Sequence, residues 1–98
     1  MRWLHTDIVK WTTDTFGTPA ERGPKGPLLH LIKEANEAIE APTDHSEYAD
    51  CLILVIDASH RAGMSYEDLW LEAYKKLQVL QTRTYPKVAD GEVSEHIK

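Results

Sequence analysis

The sequence has 98 residues, of which 42% are hydrophobic, and a formal net charge of −5 at pH 7. This length fits a single domain over residues 1–98, and the acidic balance argues against a protein that coats nucleic-acid polymers by neutralising phosphates. The one cysteine excludes an intrachain disulfide, and no apolar run is long enough to span a bilayer, so we expect a cytoplasmic protein with no membrane partner.

The first predicted helix runs from Trp3 or Leu4 to Thr15. Leu4, Ile8 and Trp11 recur at three- and four-residue spacing and form one apolar stripe, and Gly17 should end the helix. Residues 17–27 hold three glycines and three prolines and are predicted to form an irregular loop, of a length that is often functional or mobile. The loop does not match the phosphate-cradling GxxxxGK[ST] pattern, which excludes a P-loop.

The second predicted helix runs from Leu28 to Ala41. Pro27 fits its first helical position, where a missing N–H does no harm, and Pro42 ends it. Glu34 and Glu37 border the apolar stripe rather than the open face. We expect that stripe to face the core, and it consists of Leu28, Leu31, Ile32, Ala35 and Ile39.

The third predicted helix begins after Asp44 and continues to Ala62, with Gly63 as its terminator. Asp44 and Glu47 have the spacing of a capping box, so Glu47 is either a cap or a site residue. This helix has an apolar band wider than a surface helix needs, which predicts a central helix or one in a subunit interface. Cys51 is interpreted as a small core residue rather than a nucleophile. Asp57 and Arg61 could form an ordinary ion pair on the helix surface. Alternatively, Asp57 could support the metal-binding carboxylates from behind.

The fourth predicted helix runs from Tyr66 to Thr82 after a Ser65 N-cap. Its stripe consists of Leu69, Ala73, Leu77 and Leu80, with Trp70 beside it. From Tyr85 onward the sequence is typical of an extended tail. The predicted fold is therefore an all-α, four-helix bundle with a C-terminal tail. The predicted helices carry more apolar surface than a monomer of this length can bury, so we expect a homodimer or homotetramer.

Two pairs of carboxylates stand three residues apart: Glu34 with Glu37, and Glu47 with Asp50. Residues three apart on a helix lie roughly 60° apart around its axis, so each pair points one way. If the two helices pack as a hairpin, the four side chains converge, and two like charges about 4 Å apart repel by roughly 4 kcal/mol at an effective dielectric near 20. A divalent cation would relieve that repulsion, and an all-oxygen ligand set suits Mg²⁺ or Mn²⁺. The alternative is a solvated acidic face.

An ExxE motif followed by ExxD on the next helix resembles the signature of the MazG-like all-α nucleoside triphosphate pyrophosphohydrolases. The resemblance covers nearly the whole chain and is strongest to the branch of dATP/dGTP diphosphohydrolases, which includes phage enzymes of the MazZ type. The sequence departs from that branch at Leu80, where Asn is usual, and at Tyr85, where Trp is common. The further matching positions are Trp11, Thr15-Phe16-Gly17, Gly26-Pro27-Leu28, His30-Leu31, Lys33-Glu34-Ala35, Asp57-Ala58, Arg61-Ala62-Gly63, Lys76-Leu77, Arg83, Tyr85-Pro86 and the terminal Glu95-His96-Ile97-Lys98.

The resemblance implies hydrolysis of a deoxynucleoside triphosphate, with dGTP or dATP favoured, to the monophosphate and pyrophosphate by water attack at the α-phosphorus. It also implies two or three Mg²⁺ or Mn²⁺ ions per site. If the gene is carried by a phage, the protein would work in the host cytoplasm. The catalytic and metal-binding residues would be Glu34, Glu37, Glu47 and Asp50.

Substrate-binding candidates lie outside the acidic motifs. Lys33, Lys76 and Arg83 could hold the phosphates or be ordinary surface charges, and Trp11 could stack on the base or belong to the core. His30 lies on the face of Glu34 and is expected to pack or to support that residue rather than to bind metal. Three other functions remain open: a housecleaning pyrophosphatase for dUTP or damaged nucleotides, a non-catalytic helical module that oligomerises and binds a partner, and a metal-binding bundle with no turnover.

Overall fold

Four α-helices make up the fold in a computed structural model that describes residues 1–95. They are α1 (Arg2–Phe16), α2 (Lys25–Glu40), α3 (His45–Arg61) and α4 (Tyr66–Gln81). No strand occurs within residues 1–95, which confirms the all-α class. None of the helices in this part of the chain is long and apolar enough to cross a membrane. Of the terminal stretch that matches the family, His96, Ile97 and Lys98 lie outside the described residues.

The chain divides into two compact units, Met1–Glu67 and the unit that begins at Asp68, and the single domain over 1–98 stays a prediction. In the first unit, α3 packs against both α1 and α2. The short turn 41–44 joins α2 to α3, so these two helices form a hairpin. That hairpin is the arrangement on which the expected convergence of the carboxylates depends.

The helix ends follow local chemistry, and all but one lie within two residues of the predicted bounds. Gly17 ends α1 with φ +102°, which favours glycine, and its N–H donates to the Thr13 carbonyl at 3.0 Å. α2 begins at Lys25, three residues before the predicted Leu28. Pro27 therefore lies within the first turn rather than at the first position. The shift costs no hydrogen bond, because N–H groups of the first turn have no partner within the helix.

Asp44 caps α3, but Glu47 does not complete a capping box. The Asp44 carboxylate accepts from the Ser46 N–H at 3.0 Å. In a capping box the Glu47 side chain would accept from the Asp44 N–H, but that N–H donates to the Ala41 carbonyl at 3.0 Å instead. The carboxylate of Glu47 is thus left for other contacts.

Buried apolar side chains are few in the described part of the chain, and they are Ile8, Pro27, Ile56 and Ala58. The predicted core stripe of α2 is mostly on the surface, with Ile32 61% and Ile39 74% exposed and only Leu31 and Ala35 half-buried. The stripe is correctly placed on one face, but the assignment of that face to the core of this chain is wrong. A chain of this length buries a smaller fraction of its surface than a longer one, so part of this apolar face stays exposed.

The unit that begins at Asp68 carries the rest of α4. No residue of α4 is buried, and Trp70 and Leu77 are exposed, while Leu69 and Leu80 are half-buried. After Gln81 the described residues 82–95 contain no further helix, as expected for a tail. Within this tail the Ser94 hydroxyl donates to the Pro86 carbonyl at 2.7 Å.

Candidate functional site

Three carboxylates from α2 and α3 meet at the hairpin. Glu34, Glu37 and Glu47 each offer an oxygen, and these oxygens lie within 4.8 Å of one another. Glu34 and Glu37 are neighbours on one helix face because of their three-residue spacing. Glu47 reaches them because it lies in the first turn of α3, directly after the 41–44 turn. The hairpin therefore assembles three of the four predicted metal ligands.

Two oxygens in this acid cluster (Glu34, Glu37 and Glu47) are buried without a hydrogen-bond partner. They are Oε2 of Glu34 and Oε2 of Glu47. Leaving a buried acceptor unsatisfied costs about 1–3 kcal/mol for a neutral group and more for a charged one, so native structures rarely do so without a ligand. Two such oxygens, from two helices and beside a third carboxylate, fit an oxygen-ligated divalent cation.

The electrostatics of the cluster agree with that fit. A hydrogen bond with the Glu34 carboxyl, reinforced by its charge, raises the pKa of Glu37 above its usual value. Burial raises the pKa of Glu47, and the charges of Glu37, Asp44 and Asp50 add to the effect. Glu37 and Glu47 are thus easier to protonate than an isolated glutamate. A bound cation would replace those protons.

Asp50 lies outside the tight cluster. Its side chain is exposed, one turn after Glu47 on α3, and it lines the adjoining cavity together with Glu34. The structure therefore places this predicted ligand at the rim of the acid cluster. Its role as a metal ligand stays a prediction.

A cavity of about 250 Å³ adjoins the acid cluster, between α1, α2 and α3. Trp11 meets the Phe16 ring edge-on, with centroids 5.6 Å apart and planes at 89°, and it is 58% exposed. The interpretation of Trp11 as a core residue is therefore wrong. His30 Nε2 lies 3.0 Å from Glu34 Oε1, which agrees with its expected role as a neighbour of the carboxylate. The cavity is lined by Trp11, Thr12, Phe16, His30, Glu34, Asp50, Ile53, Leu54 and Asp57.

The predicted cationic residues are divided between the two units. Lys33 is exposed on α2, and its charge acts on Glu37 in the direction of a lower pKa, so it lies within electrostatic reach of the cluster. Lys76 is exposed on α4, and Arg83 is exposed just after that helix, where its backbone N–H donates to the Leu80 carbonyl. The part played by each of the three with substrate stays a prediction.

The predicted surface pair of Asp57 and Arg61 is in fact buried. Arg61 Nε donates to Asp57 Oδ1 at 2.7 Å, with the two side chains only 5% (Asp57) and 1% (Arg61) exposed. Nη1 of Arg61 donates to the carbonyls of Thr18 (3.3 Å) and Arg22 (2.8 Å), and Nη2 donates to that of Thr12 (3.2 Å). This arginine joins α3 to the end of α1 and to the loop that follows. The helix spacing alone indicated the pair, but only the apolar neighbours of Asp57 hinted at its burial.

Comparison with known proteins places the chain among nucleotide-cleaving enzymes. The family model described as dATP/dGTP pyrophosphohydrolase matches residues 4–98. The Eaa protein of Salmonella phage P22 is 44% identical over 95 residues, which are 97% of this chain and 29% of that protein. The chain thus spans less than a third of that relative.

A solved structure supports the same comparison at the level of the fold. It is the MazG-like pyrophosphohydrolase of cyanophage S-2L, bound to dGDP and three catalytic Mn²⁺ ions per active site. The two chains are 28% identical with a TM-score of 0.74, over 97% of this chain and 94% of the other. The predicted MazG-like bundle is thereby confirmed.

Proposed function

This chain belongs to the dATP/dGTP pyrophosphohydrolase family, and from that premise we propose that it hydrolyses a purine deoxynucleoside triphosphate, dGTP or dATP, to the monophosphate and pyrophosphate. The observation that carries the proposal is the acid cluster of α2 and α3, with its two buried, unpartnered carboxylate oxygens. A triphosphate reaches such an acidic site only in the company of divalent cations. The cluster is therefore suited to a metal–nucleotide complex.

Glu34, Glu37 and Glu47 would hold Mg²⁺ or Mn²⁺, with Asp50 completing the set from the rim. The similar cyanophage enzyme binds three Mn²⁺ ions, and we propose two or three here. When bound, such ions neutralise phosphate charge and make water a stronger acid. Through those ions the carboxylates would orient the triphosphate for in-line attack of water on the α-phosphorus. A carboxylate of the site would take the proton of the water, while the α–β bridging P–O bond breaks and pyrophosphate leaves.

The nucleoside would occupy the cavity beside the cluster. Its walls carry the indole of Trp11 and the ring of Phe16, and aromatic faces are common platforms for bases. Lys33 lies close enough to Glu37 to contribute positive charge near the phosphates. Lys76 and Arg83 remain candidates for the same role. In this arrangement the acid cluster receives the phosphates and the apolar cavity receives the base.

Product analysis tests the proposed reaction. Incubation with each of the four deoxynucleoside triphosphates and their ribose counterparts, with Mn²⁺, should give monophosphate and pyrophosphate, fastest for a purine deoxynucleotide. EDTA should stop the reaction. Release of orthophosphate alone would contradict cleavage between the α- and β-phosphates. A strong preference for dUTP would favour the housecleaning alternative, and no turnover of any nucleotide would favour a non-catalytic module.

The exposed apolar face of α2 supports a second proposal, that the protein is a homodimer or homotetramer. Leu28, Ile32 and Ile39 are all exposed on this helix, and their spacing places them on one face, as is typical of an interaction site. Light scattering at micromolar concentration should therefore give a mass at least twice that of the chain. Ile32→Glu should lower that mass, whereas Lys10→Glu, an exposed change on α1, should not. A monomeric wild-type protein would contradict the proposal.

A further inference from the structure

We infer that Asp57 selects the base, by accepting a hydrogen bond through Oδ2 from the N–H donors at positions 1 and 2 of guanine. This inference rests on the proposed function and adds to it a specificity-determining residue outside both acidic motifs. Asp57 lies on α3 and lines the cavity next to the acid cluster, without belonging to that cluster.

The carboxylate of Asp57 is held in one orientation. Its Oδ1 accepts from Arg61 Nε at 2.7 Å, and the guanidinium is itself fixed by the carbonyls of Thr12, Thr18 and Arg22. A guanidinium with three further acceptors cannot turn away without losing several hydrogen bonds. The ion pair therefore presents the second oxygen of Asp57 at a constant position, as a recognition group requires.

Oδ2 of Asp57 is available to a ligand. No group within residues 1–95 donates a hydrogen bond to it, although Asp57 as a whole is only 4% exposed. Asp57 lines the cavity into which a base would fit, which leaves this unpaired oxygen as the group that it can offer to a base.

The spacing along α3 agrees with the length of a nucleotide. Asp57 follows Asp50 by seven residues, which is two turns, or roughly 10.5 Å along the helix axis. This is comparable to the span from the α-phosphorus of a nucleotide to the far edge of its base. With the phosphates at the acid cluster, the base edge would lie beside Asp57, between the walls made by Trp11 and Phe16.

The chemistry of the base edge gives the direction of the preference. Guanine carries two adjacent donors, N1–H and the 2-amino group, where a fixed carboxylate oxygen can accept. Adenine carries a lone pair at N1 and a C–H at position 2, so the same oxygen would meet an acceptor and no donor. A buried acceptor that loses its partner is penalised, and sites built for a hydrogen bond reject analogues that lack the donor.

Binding of dGDP and dADP with Mn²⁺, measured by titration calorimetry, tests the inference without requiring turnover. The wild-type protein should bind dGDP about tenfold to hundredfold more tightly than dADP. Asp57→Asn keeps an oxygen for Arg61 but presents an amide N–H₂ to the base, so it should remove or invert this ratio. Asp7→Asn, an exposed change on α1 outside the cavity, should retain it. Equal wild-type affinities, or an unchanged ratio in Asp57→Asn, would overturn the inference.

The ratio separates base selection from a purely structural role, because a loosened cavity wall would weaken both nucleotides alike. A second measurement needs no variant: wild-type affinity should fall from dGDP to dIDP, which lacks the 2-amino group, and again to dADP. An order that begins with dADP would contradict the assignment. Selective binding without hydrolysis would sink the proposed reaction and leave this inference standing, whereas hydrolysis without selectivity would do the reverse.

Discussion

Glu47→Gln and Glu37→Gln should each lower Mn²⁺-dependent turnover by at least about a hundredfold, since even residues behind metal ligands are worth about 10–100-fold. Each change removes a negative oxygen from the acid cluster, where three carboxylates lie within 4.8 Å. The same changes should stabilise the metal-free protein, because they remove repulsion, and the new amide can donate to a neighbouring carboxylate. Turnover is measured with the preferred nucleotide, and the free energy of unfolding is measured in urea with EDTA.

The pH dependence of stability provides a second measure of the same changes. The ordinary pKa of a glutamate is 4.5, and the pKa values of Glu37 and Glu47 are raised above it in the folded protein. Above pH 4.5 the folded protein therefore keeps protons that the unfolded chain has lost. Their stabilising contribution is complete below that pH and disappears as the pH rises through the raised values. Either substitution should flatten this decline in EDTA, and so should Mn²⁺ for the wild-type protein.

Glu40→Gln provides the matched control, because Glu40 is an exposed glutamate near the end of α2 and is not part of the acid cluster. It should leave turnover and the pH dependence unchanged. Wild-type turnover in both Glu37→Gln and Glu47→Gln would remove the metal-site assignment. Loss of turnover accompanied by loss of stability in EDTA would instead indicate that these glutamates hold the hairpin together.

Local sequence patterns predicted the parts of the site that depend on neighbours along the chain. The three-residue spacing placed Glu34 and Glu37 on one side of α2, and the short 41–44 turn brought α3 back beside them. The pattern could not decide whether Glu47 was a cap, because the same spacing serves both roles. The backbone of the turn decided it, since the Asp44 N–H is used by the Ala41 carbonyl. The sequence pattern also could not show that Asp50, one turn after Glu47, lies at the rim of the acid cluster.

Features that depend on distant parts of the chain were not predictable from spacing. Helix spacing predicts only one partner for Arg61, which is Asp57, four residues earlier. The pair was therefore interpreted as a surface ion pair. Its other acceptors are carbonyls of residues 12, 18 and 22, contributed by another helix and an irregular loop. The exposed stripe of α2 illustrates a related limit. Periodicity shows that Ile32 and Ile39 share an apolar face, but it does not show what covers that face.

Arg61→Met should reduce the free energy of unfolding by about 3–5 kcal/mol, the usual cost of breaking a buried ion pair from one side. The substitution leaves the Asp57 carboxylate, only 5% exposed, without its counter-charge. It also leaves the carbonyls of Thr12, Thr18 and Arg22 without the donors that join them to α3. Chemical unfolding, with the mass of the assembly held constant, measures the loss.

The double variant Arg61→Met, Asp57→Leu separates the two contributions. If the uncompensated charge dominates, the double variant should be more stable than Arg61→Met alone, because a buried pair replaced by apolar residues is often tolerated. If the links to the loop dominate, the two variants should be equally unstable, since neither has the guanidinium that joins the three carbonyls to α3. Arg61→Lys should recover only part of the loss, because an ammonium group cannot reproduce the planar fork that reaches Asp57 and three carbonyls together. A loss below about 1 kcal/mol in Arg61→Met, within the range of exposed pairs, would contradict the buried role of this arginine.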